Sequence, residues 1–262
     1  MSVLMRIATS TRERVATAKA HTPQSVLEAQ IADSRQPLDF TQAFTRPGFN
    51  IIAEVKLASP SKGPIAPDLD PLTVAADYLA FGAAALSVLT EPDYFNGRLD
   101  YLTAIRQAQP GARLLMKDFM LDPYQFFQAR LAGADACLLI VAMLTAAELR
   151  DYYALAQELG LTPLVEVHNE AEMQAAVDLG ASLIGVNNRD LKTLSTDLKT
   201  SQRLAPLAPP GAILICESGL SRGEDLKHAQ GWGYSGFLIG SHLMATGQPG
   251  QALGHLLAAA HD

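Results

Sequence analysis

The feature that most restricts the fold of this chain is a rhythm. From residue 50 onward eight short β-type runs alternate with helical stretches, at 50–56, 84–90, 113–119, 136–142, 162–168, 182–188, 212–218 and 236–242. Runs such as CLLIVAML and AILICES are apolar almost throughout, without the polar alternation of a half-exposed strand. They fit strands covered on both faces, as parallel sheets require. Between them lie amphipathic stretches such as TAAELRDYYALAQELG and NEAEMQAAVDLG, the second opening on Asn169 as an N-cap and closing on Gly180. The runs start about 20 to 34 residues apart, the room that a strand, a helix and two loops need in a βαβ unit.

Eight such units predict an α/β fold of the closed (β/α)8 TIM-barrel type. The competing open, doubly wound sheet would carry G-x-G-x-x-G after its first strand, where this chain has S-P-S-K-G. α/β barrels commonly reach 262 residues as one domain, so residues 1–262 are read as a single barrel domain. Residues 1–48 precede the first strand as an N-terminal helical extension, with helical stretches at 3–19 and 23–34. That extension either plugs the bottom of the barrel or covers its top.

Composition excludes several function classes. With 48% hydrophobic and 18% charged residues, and 19 glycines and 15 prolines spread along the chain, no stretch reads as a linker. Twenty basic against 27 acidic residues give a net charge of −7, which argues against a broad nucleic-acid or anionic-membrane surface. Any anion site is therefore local. Cys137 and Cys216 both lie in apolar runs without metal-like spacing and read as reduced core residues of a cytoplasmic protein. The first twenty residues carry arginines and few acids, as transit peptides do. Glu13 and the periodic Val3, Ile7 and Val15 fit an amphipathic helix of the mature fold instead. No apolar run reaches the roughly 18 residues of a membrane span.

Charge inside the first run raises the question of chemistry. IIAEVKLASPSKGPI places Glu54 and Lys56 among aliphatics, although an unpaired ion taken out of water costs several kcal/mol. In a barrel, chemistry sits at the C-terminal ends of the strands, where such residues would meet. Side chains alternate along a strand, so Glu54 and Lys56 share a face with Ile52. Lys117 shares one with Phe119, Glu166 with His168, and Asn187 with Arg189, while Glu217 closes ILICE. With those faces inward, one mouth gathers Glu54, Lys56, Lys117, Glu166, Asn187, Arg189 and Glu217. Acids and bases so crowded neutralise one another in part and acquire shifted pKa values suited to proton transfer.

Blander readings compete at each position. Lys62 and Lys192 read as snorkelling lysines, Asp118 as a loop or helix contact on the opposite face, and His168 as a structural hydrogen-bonder. Glu166 by itself could equally be a buried ion-pair partner. The histidines form no H-E-x-x-H or similar set, so no metal is predicted. ICESGLSRGEDL and FLIGSHLM each place a Ser-Gly or Gly-Ser turn before a helix, after the seventh and eighth strands. Phosphate-binding barrels use that location, which implies a substrate phosphate.

The ordered set IIAEVKLASPSKGPI, SVLTEPDYFNG, LLMKDFMLDPYQFFQARLAGADACLLIVAML, LVEVHNEAEM, IGVNNRDLKTLSTDL and CESGLSR resembles the indole-3-glycerol phosphate synthase family of tryptophan biosynthesis. The resemblance runs from the N-terminal helix to GSHLM, and it favours the covering role for residues 1–48. It implies a carboxy-lyase that closes 1-(2-carboxyphenylamino)-1-deoxyribulose 5-phosphate to indole-3-glycerol phosphate with loss of carbon dioxide and water. No cofactor or metal is implied. Lys117 resembles the general acid, Glu166 the carboxylate that stabilises cationic intermediates or accepts a proton, and Lys56, held by Glu54, a second acid for dehydration. Asn187, Glu217 and Ser218 complete the polar shell. Ser59 and Arg189 resemble substrate-binding residues, Arg189 toward the anthranilate carboxylate. Phe95, Phe119, Leu138 and Leu191 resemble the packing around the aromatic ring, and Gly219, Gly240 and Ser241 the phosphate site. Ser59, Pro60 and Ser61 fall in a flexible first loop. Leu57, Leu194 and Cys216 depart from the family's usual residues without touching a proton donor.

Two other functions compete with that reading. Barrel lysines flanked by acids also serve Schiff-base lyases or aldolases, and a catalytically silent barrel could bind a sugar phosphate as a sensor. The expected partner is a small phosphorylated substrate, with neither nucleic acid nor membrane. Association with other enzymes of the pathway is left open by the sequence.

Overall fold

The computed structural model describes residues 3–191 and 193–261; Lys192, read above as a snorkelling lysine, lies outside the described residues. The predicted strands all form, each trimmed by one to three residues: β1 (Asn50–Val55), β4 (Ala85–Leu89), β5 (Leu114–Lys117), β6 (Ala136–Ile140), β7 (Thr162–Val167), β8 (Leu183–Asn187), β9 (Ile213–Glu217) and β10 (Gly236–Ile239). They close in chain order into a parallel barrel, β1 pairing with β4 on one side and β10 on the other. A small antiparallel hairpin of β2 (Ala58–Ser59) and β3 (Gly63–Pro64) stands in the first loop, where the sequence suggested only flexibility.

The outer layer holds α3 (Pro71–Ala80), α5 (Leu99–Ala108), α6 (Pro123–Ala132), α7 (Ala146–Glu158), α8 (Glu170–Leu179), α9 (Lys199–Leu204), α10 (Gly223–Gly231) and α12 (Pro249–His261). Two four-residue helices, α4 (Pro92–Phe95) and α11 (Ser241–Met244), sit in loops at the C-terminal mouth. Local chemistry fixes the starts. Asn169 accepts from Glu172 N at 3.0 Å to open α8, Gly180 closes it at φ 73°, and Thr145 with Glu148 makes a capping box on α7.

Two apolar layers separate inward from outward residues. Ile51, Ala53 and Val55 face the helices, as do Cys137 and Cys216, both buried and unbridged. Ile52, Ala85, Leu115, Leu138, Leu164, Leu183 and Ile215 fill the barrel. The alternation expected from the sequence therefore holds, and Glu54 points inward with Ile52.

The extension serves both ends of the barrel, which the sequence left as alternatives. α1 (Val3–His21) lies over the C-terminal mouth, contributing Val3, Leu4 and Ile7 to its cavity. α2 (Gln24–Ile31) packs with α6. A 3-10 helix, Phe40–Phe44, then stops the bottom: Phe40 and Phe44 are buried against the first residues of several strands. Gly236 makes room there, since a Cβ on it would come within 2.7 Å of Phe44 Cδ1. Burying each ring contributes about 1.5–3 kcal/mol. The tether is buried Asp135, which accepts from Arg35 Nη1 (2.9 Å), Leu38 N (2.7 Å) and Leu114 N (2.8 Å), and pairs with Arg106.

Candidate active site

The strand ends deliver the predicted residues to one cavity. Glu54 and Lys56 come from β1 and its loop, Lys117 from β5, Glu166 from β7, Asn187 from β8 and Glu217 from β9, with Arg189 and Ser218 just beyond. Ser59, Phe95, Phe119, Leu138, Leu191 and Ser241 also line it. Gly219 and Gly240, next in sequence to Ser218 and Ser241, are not among the residues that line it.

Lys117 is the centre. Its Nζ donates to Glu166 Oε2 and to Glu217 Oε2, both at 2.9 Å. Burial pulls its pKa down, but Glu166, Glu217 and Glu54 outweigh that and raise it, so the amine stays an ammonium. Burial would push Glu166 up, yet Lys117 and His168 hold it well below the usual carboxylate range. Glu217 goes the other way: burial and the Glu166 charge outweigh Lys117 and push it up to about 8. At neutral pH the three are an ammonium, a carboxylate and a carboxylic acid. Glu217 Oε1 is buried with no hydrogen-bond partner, which leaves it as the oxygen able to carry the proton. Only glycine at 185 permits that position, because a Cβ there would stand 2.0 Å from Glu217 Oε1.

A second amine stands nearby. Lys56 Nζ donates to Glu54 Oε1 at 3.0 Å and lies 5.5 Å from the centroid of the Phe95 ring. Phe95 in turn meets Phe119, ring centroids 6.0 Å apart, giving the mouth an aromatic wall. Glu54 is fixed by Ser87, whose Oγ donates to Oε2 at 3.2 Å, and by Gly240, where a Cβ would fall 2.6 Å from Glu54 Oε1. Gly240 thus makes space for the acid that holds Lys56.

The opposite end is built from backbone. Ser218 and Gly219 are consecutive left-handed residues, φ 66° and 85°, a conformation costly for serine. Asn188 pins it, its Nδ2 donating to Glu217 O (2.9 Å) and Ser218 O (3.1 Å) while its Oδ1 accepts from Ser201 N and Oγ. Arg189 Nη1 donates to Leu194 O at 2.7 Å, and its own N–H to Asn187 Oδ1 at 3.0 Å.

Sequence reasoning missed Ser87, Gly185 and Asn188 as parts of the site; it expected the extension as a cover without singling out Val3, Leu4 and Ile7. Doubled asparagine in GVNNRD was the available signal for Asn188: on a strand, one of two neighbours must face away from the cavity. Asp118 makes the helix contact expected of it, accepting from Arg14 Nη2 (2.8 Å) and Thr90 Oγ1 (2.7 Å) and so tying α1 to the mouth, but it also borders the cavity, where the sequence placed it on the opposite face. Ser10 to Asp93 and Lys19 to Asp122 add two further ties. His168, read as a hydrogen-bonder, contacts both Glu166 and Glu172. Among the described residues no group of three or more His, Cys, Asp or Glu side chains is placed to hold a metal ion, and no helix is long and apolar enough to cross a membrane.

Known proteins share both architecture and sequence with this chain. The solved structure of 3-hexulose-6-phosphate synthase superposes with a TM-score of 0.64, covering 80% of this chain and 99% of its own at 16% identity, a likeness of fold alone. Closer relatives carry the name indole-3-glycerol phosphate synthase. The protein from Salinibacter ruber is 46% identical over 98% of this chain and 96% of its own length. That from Lachnoclostridium phytofermentans is 42% identical over 92% and 94%. The model of the family described as "Indole-3-glycerol phosphate synthase" matches residues 4–256, a span that takes in both the covering helix and every strand end at the cavity. A barrel of this build, matched over nearly its whole length, belongs to the indole-3-glycerol phosphate synthase family.

Proposed function

We propose that the chain closes 1-(2-carboxyphenylamino)-1-deoxyribulose 5-phosphate to indole-3-glycerol phosphate, acting as one domain in which α1 and the barrel share a site. The observation that carries this reading is Lys117, held at 2.9 Å by each of Glu166 and Glu217 in the cavity that also contains Lys56. Lys117 donates its proton to the substrate carbonyl oxygen as the carboxylated ring carbon attacks the carbonyl carbon. The new C–C bond forms with the C=O pair moving to oxygen. An alkoxide is a stronger base than an amine, so the proton moves readily even from an ammonium stabilised by two acids. Carbon dioxide then leaves, its bonding pair restoring the aromatic ring. Dehydration follows: Lys56, held by Glu54, protonates the departing hydroxyl while Glu166 takes up the proton released from carbon.

Other side chains position the substrate. Ser241 and the backbone at Gly219 and Gly240 hold the phosphate, Arg189 binds the anthranilate carboxylate and Ser59 is a further substrate contact. Phe95, Phe119, Leu138 and Leu191 pack the ring, with Asn187 and Glu217 completing the polar wall. Fixing the flexible amino sugar at both ends supplies the orientation that cyclisation needs.

The Schiff-base reading is disfavoured by the charge around Lys117: a nucleophilic lysine needs a lowered pKa, and Glu166, Glu217 and Glu54 raise that of Lys117. Incubating the pure protein with the carboxyphenylamino deoxyribulose phosphate and following indole fluorescence tests the proposal. Appearance of the indole supports it. A borohydride-trapped adduct on Lys117 or Lys56 in place of indole would establish the lyase, and binding without turnover the silent barrel.

A further inference from the structure

The end of β7 and the start of α8 are joined by contacts that ordinary helix capping does not require. Glu172, in the first turn of α8, accepts from Asn169 Nδ2 at 2.6 Å through Oε1, and its N–H returns to Asn169 Oδ1. Its Oε2 reaches past the N-cap to His168, accepting the backbone N–H at 2.8 Å and contacting ring Nδ1 at 2.9 Å. A carboxylate only accepts, so Nδ1 carries a hydrogen. The ring is almost buried, with 8% of its side chain exposed, and its Nε2 lies 3.3 Å from Glu166 Oε1. Nε2 is off line for a hydrogen bond to that oxygen and has no other partner among the described residues. Glu166 thus stands between two cations, His168 at Oε1 and Lys117 at Oε2.

We propose that His168 is a positioning residue for Glu166 and Glu172 the anchor of that histidine, so that a carboxylate in the first turn of α8 sets, through the imidazole, the orientation and proton affinity of the carboxylate that takes the proton. This rests on the ring-closure reading above. Burial would lower the His168 pKa, but the contacts with Glu166 and Glu172 lift it to about 10, so the ring is an imidazolium at neutral pH. The charged groups facing this pair are Glu172 on α8, Lys117 on β5 and Glu217 on β9, with Glu54 acting on Lys117 from β1. Lys117 and Glu217 contact the Oε2 side of the system, which leaves His168 as the group that sets Oε1.

The sign follows from charge. Taking away the imidazolium makes ionisation of Glu166 less favourable, raises its pKa and moves the acidic limb of the rate profile to higher pH. The test compares wild type with His168→Ala, His168→Gln, Glu172→Ala and Asn169→Ala, measuring kcat and KM against pH by indole fluorescence, together with thermal unfolding. His168→Ala is expected to lower kcat about tenfold with KM within about threefold, and to raise the acidic limb by about one pH unit. His168→Gln, which can present an N–H toward Glu166, recovers part of the loss. Glu172→Ala, which removes the acceptor for Nδ1–H and lets the imidazolium turn away from Glu166, shifts the limb in the same direction although it lies outside the cavity. Asn169→Ala removes the cap, lowers the unfolding temperature and leaves the limb in place.

Limb positions unmoved in both His168 variants and in Glu172→Ala, or activity falling only with the folded fraction, would overturn the relay while leaving ring closure standing. A wild-type protein that forms no indole would overturn ring closure itself, and the relay with it.

Discussion

Replacing Lys117 by methionine isolates the central proton donor, because the thioether fills the channel of the lysine stem without charge. The ammonium lies 2.9 Å from both Glu166 and Glu217. A positioned general acid contributes about 10²–10⁴ in rate, equivalent to about 2.7–5.5 kcal/mol of barrier. Folding should suffer far less. Stripping one partner from a buried ion pair costs about 3–5 kcal/mol when a bare charge remains. Here Glu217 already holds its proton up to about pH 8, and Glu166 keeps His168 beside it. The residual cost is then that of lost hydrogen bonds, about 1–2 kcal/mol, or about 2–4 °C in a protein of this size. Steady-state indole fluorescence at pH 7 reads the first quantity and thermal unfolding the second. Turnover within tenfold of wild type would remove Lys117 from the mechanism. A loss of 10 °C or more would show that the triad is chiefly a structural element.

Gly240→Ala should drive a methyl into Glu54, lower kcat/KM at least tenfold by loosening Lys56 and leave the unfolding temperature within a few degrees; wild-type kinetics would count against the Glu54–Lys56 pairing. Glu217→Gln should stabilise the fold increasingly as pH rises. An acid whose folded pKa is raised to about 8 favours the native state fully below its unfolded value near 4.5 and loses that contribution on the way to pH 8. Unfolding temperatures of variant and wild type should therefore be close at pH 4 and diverge by pH 9; a constant difference would refute the assignment. Asp135→Ala, at the far end of the barrel, removes a buried acceptor for Arg35, Arg106, Leu38 N and Leu114 N and should cost about 3–5 kcal/mol. Residual folded enzyme should keep its kcat, and a proportional loss of kcat would mean that the two ends of the barrel are coupled.

Much of this architecture can be read from periodicity alone. Apolar runs of strand length gave the eight strands, and alternation within them put Glu54, Lys117, Glu166 and Glu217 on the inner face. Both are local properties, set by the pleat and the 20- to 34-residue repeat. Partnerships between distant residues escape such reading. Nothing near Asp135 announces that it meets Arg35 and Leu38 about a hundred positions earlier, or near Ser87 that it holds Glu54. The extension was ambiguous for a similar reason. An amphipathic helix reveals that it has an apolar face and leaves unstated which surface covers it, and the single i, i+4 pair Phe40 and Phe44 is too short a pattern to mark a plug. Glycine roles were legible only in part: turns after the seventh and eighth strands suggested phosphate, whereas Gly185 and Gly240 make space for acids carried by other strands.

The stopper at residues 40–44 has a consequence for how the molecule is made. Those residues leave the ribosome before any strand exists, yet they share one buried cluster with Ile52, Ala85, Leu115, Ala136, Leu183 and Ile215, the last synthesised some 170 positions later. A nascent chain must therefore carry two unhoused phenylalanines through most of translation, and these earliest residues are seated only when the circle of strands is complete.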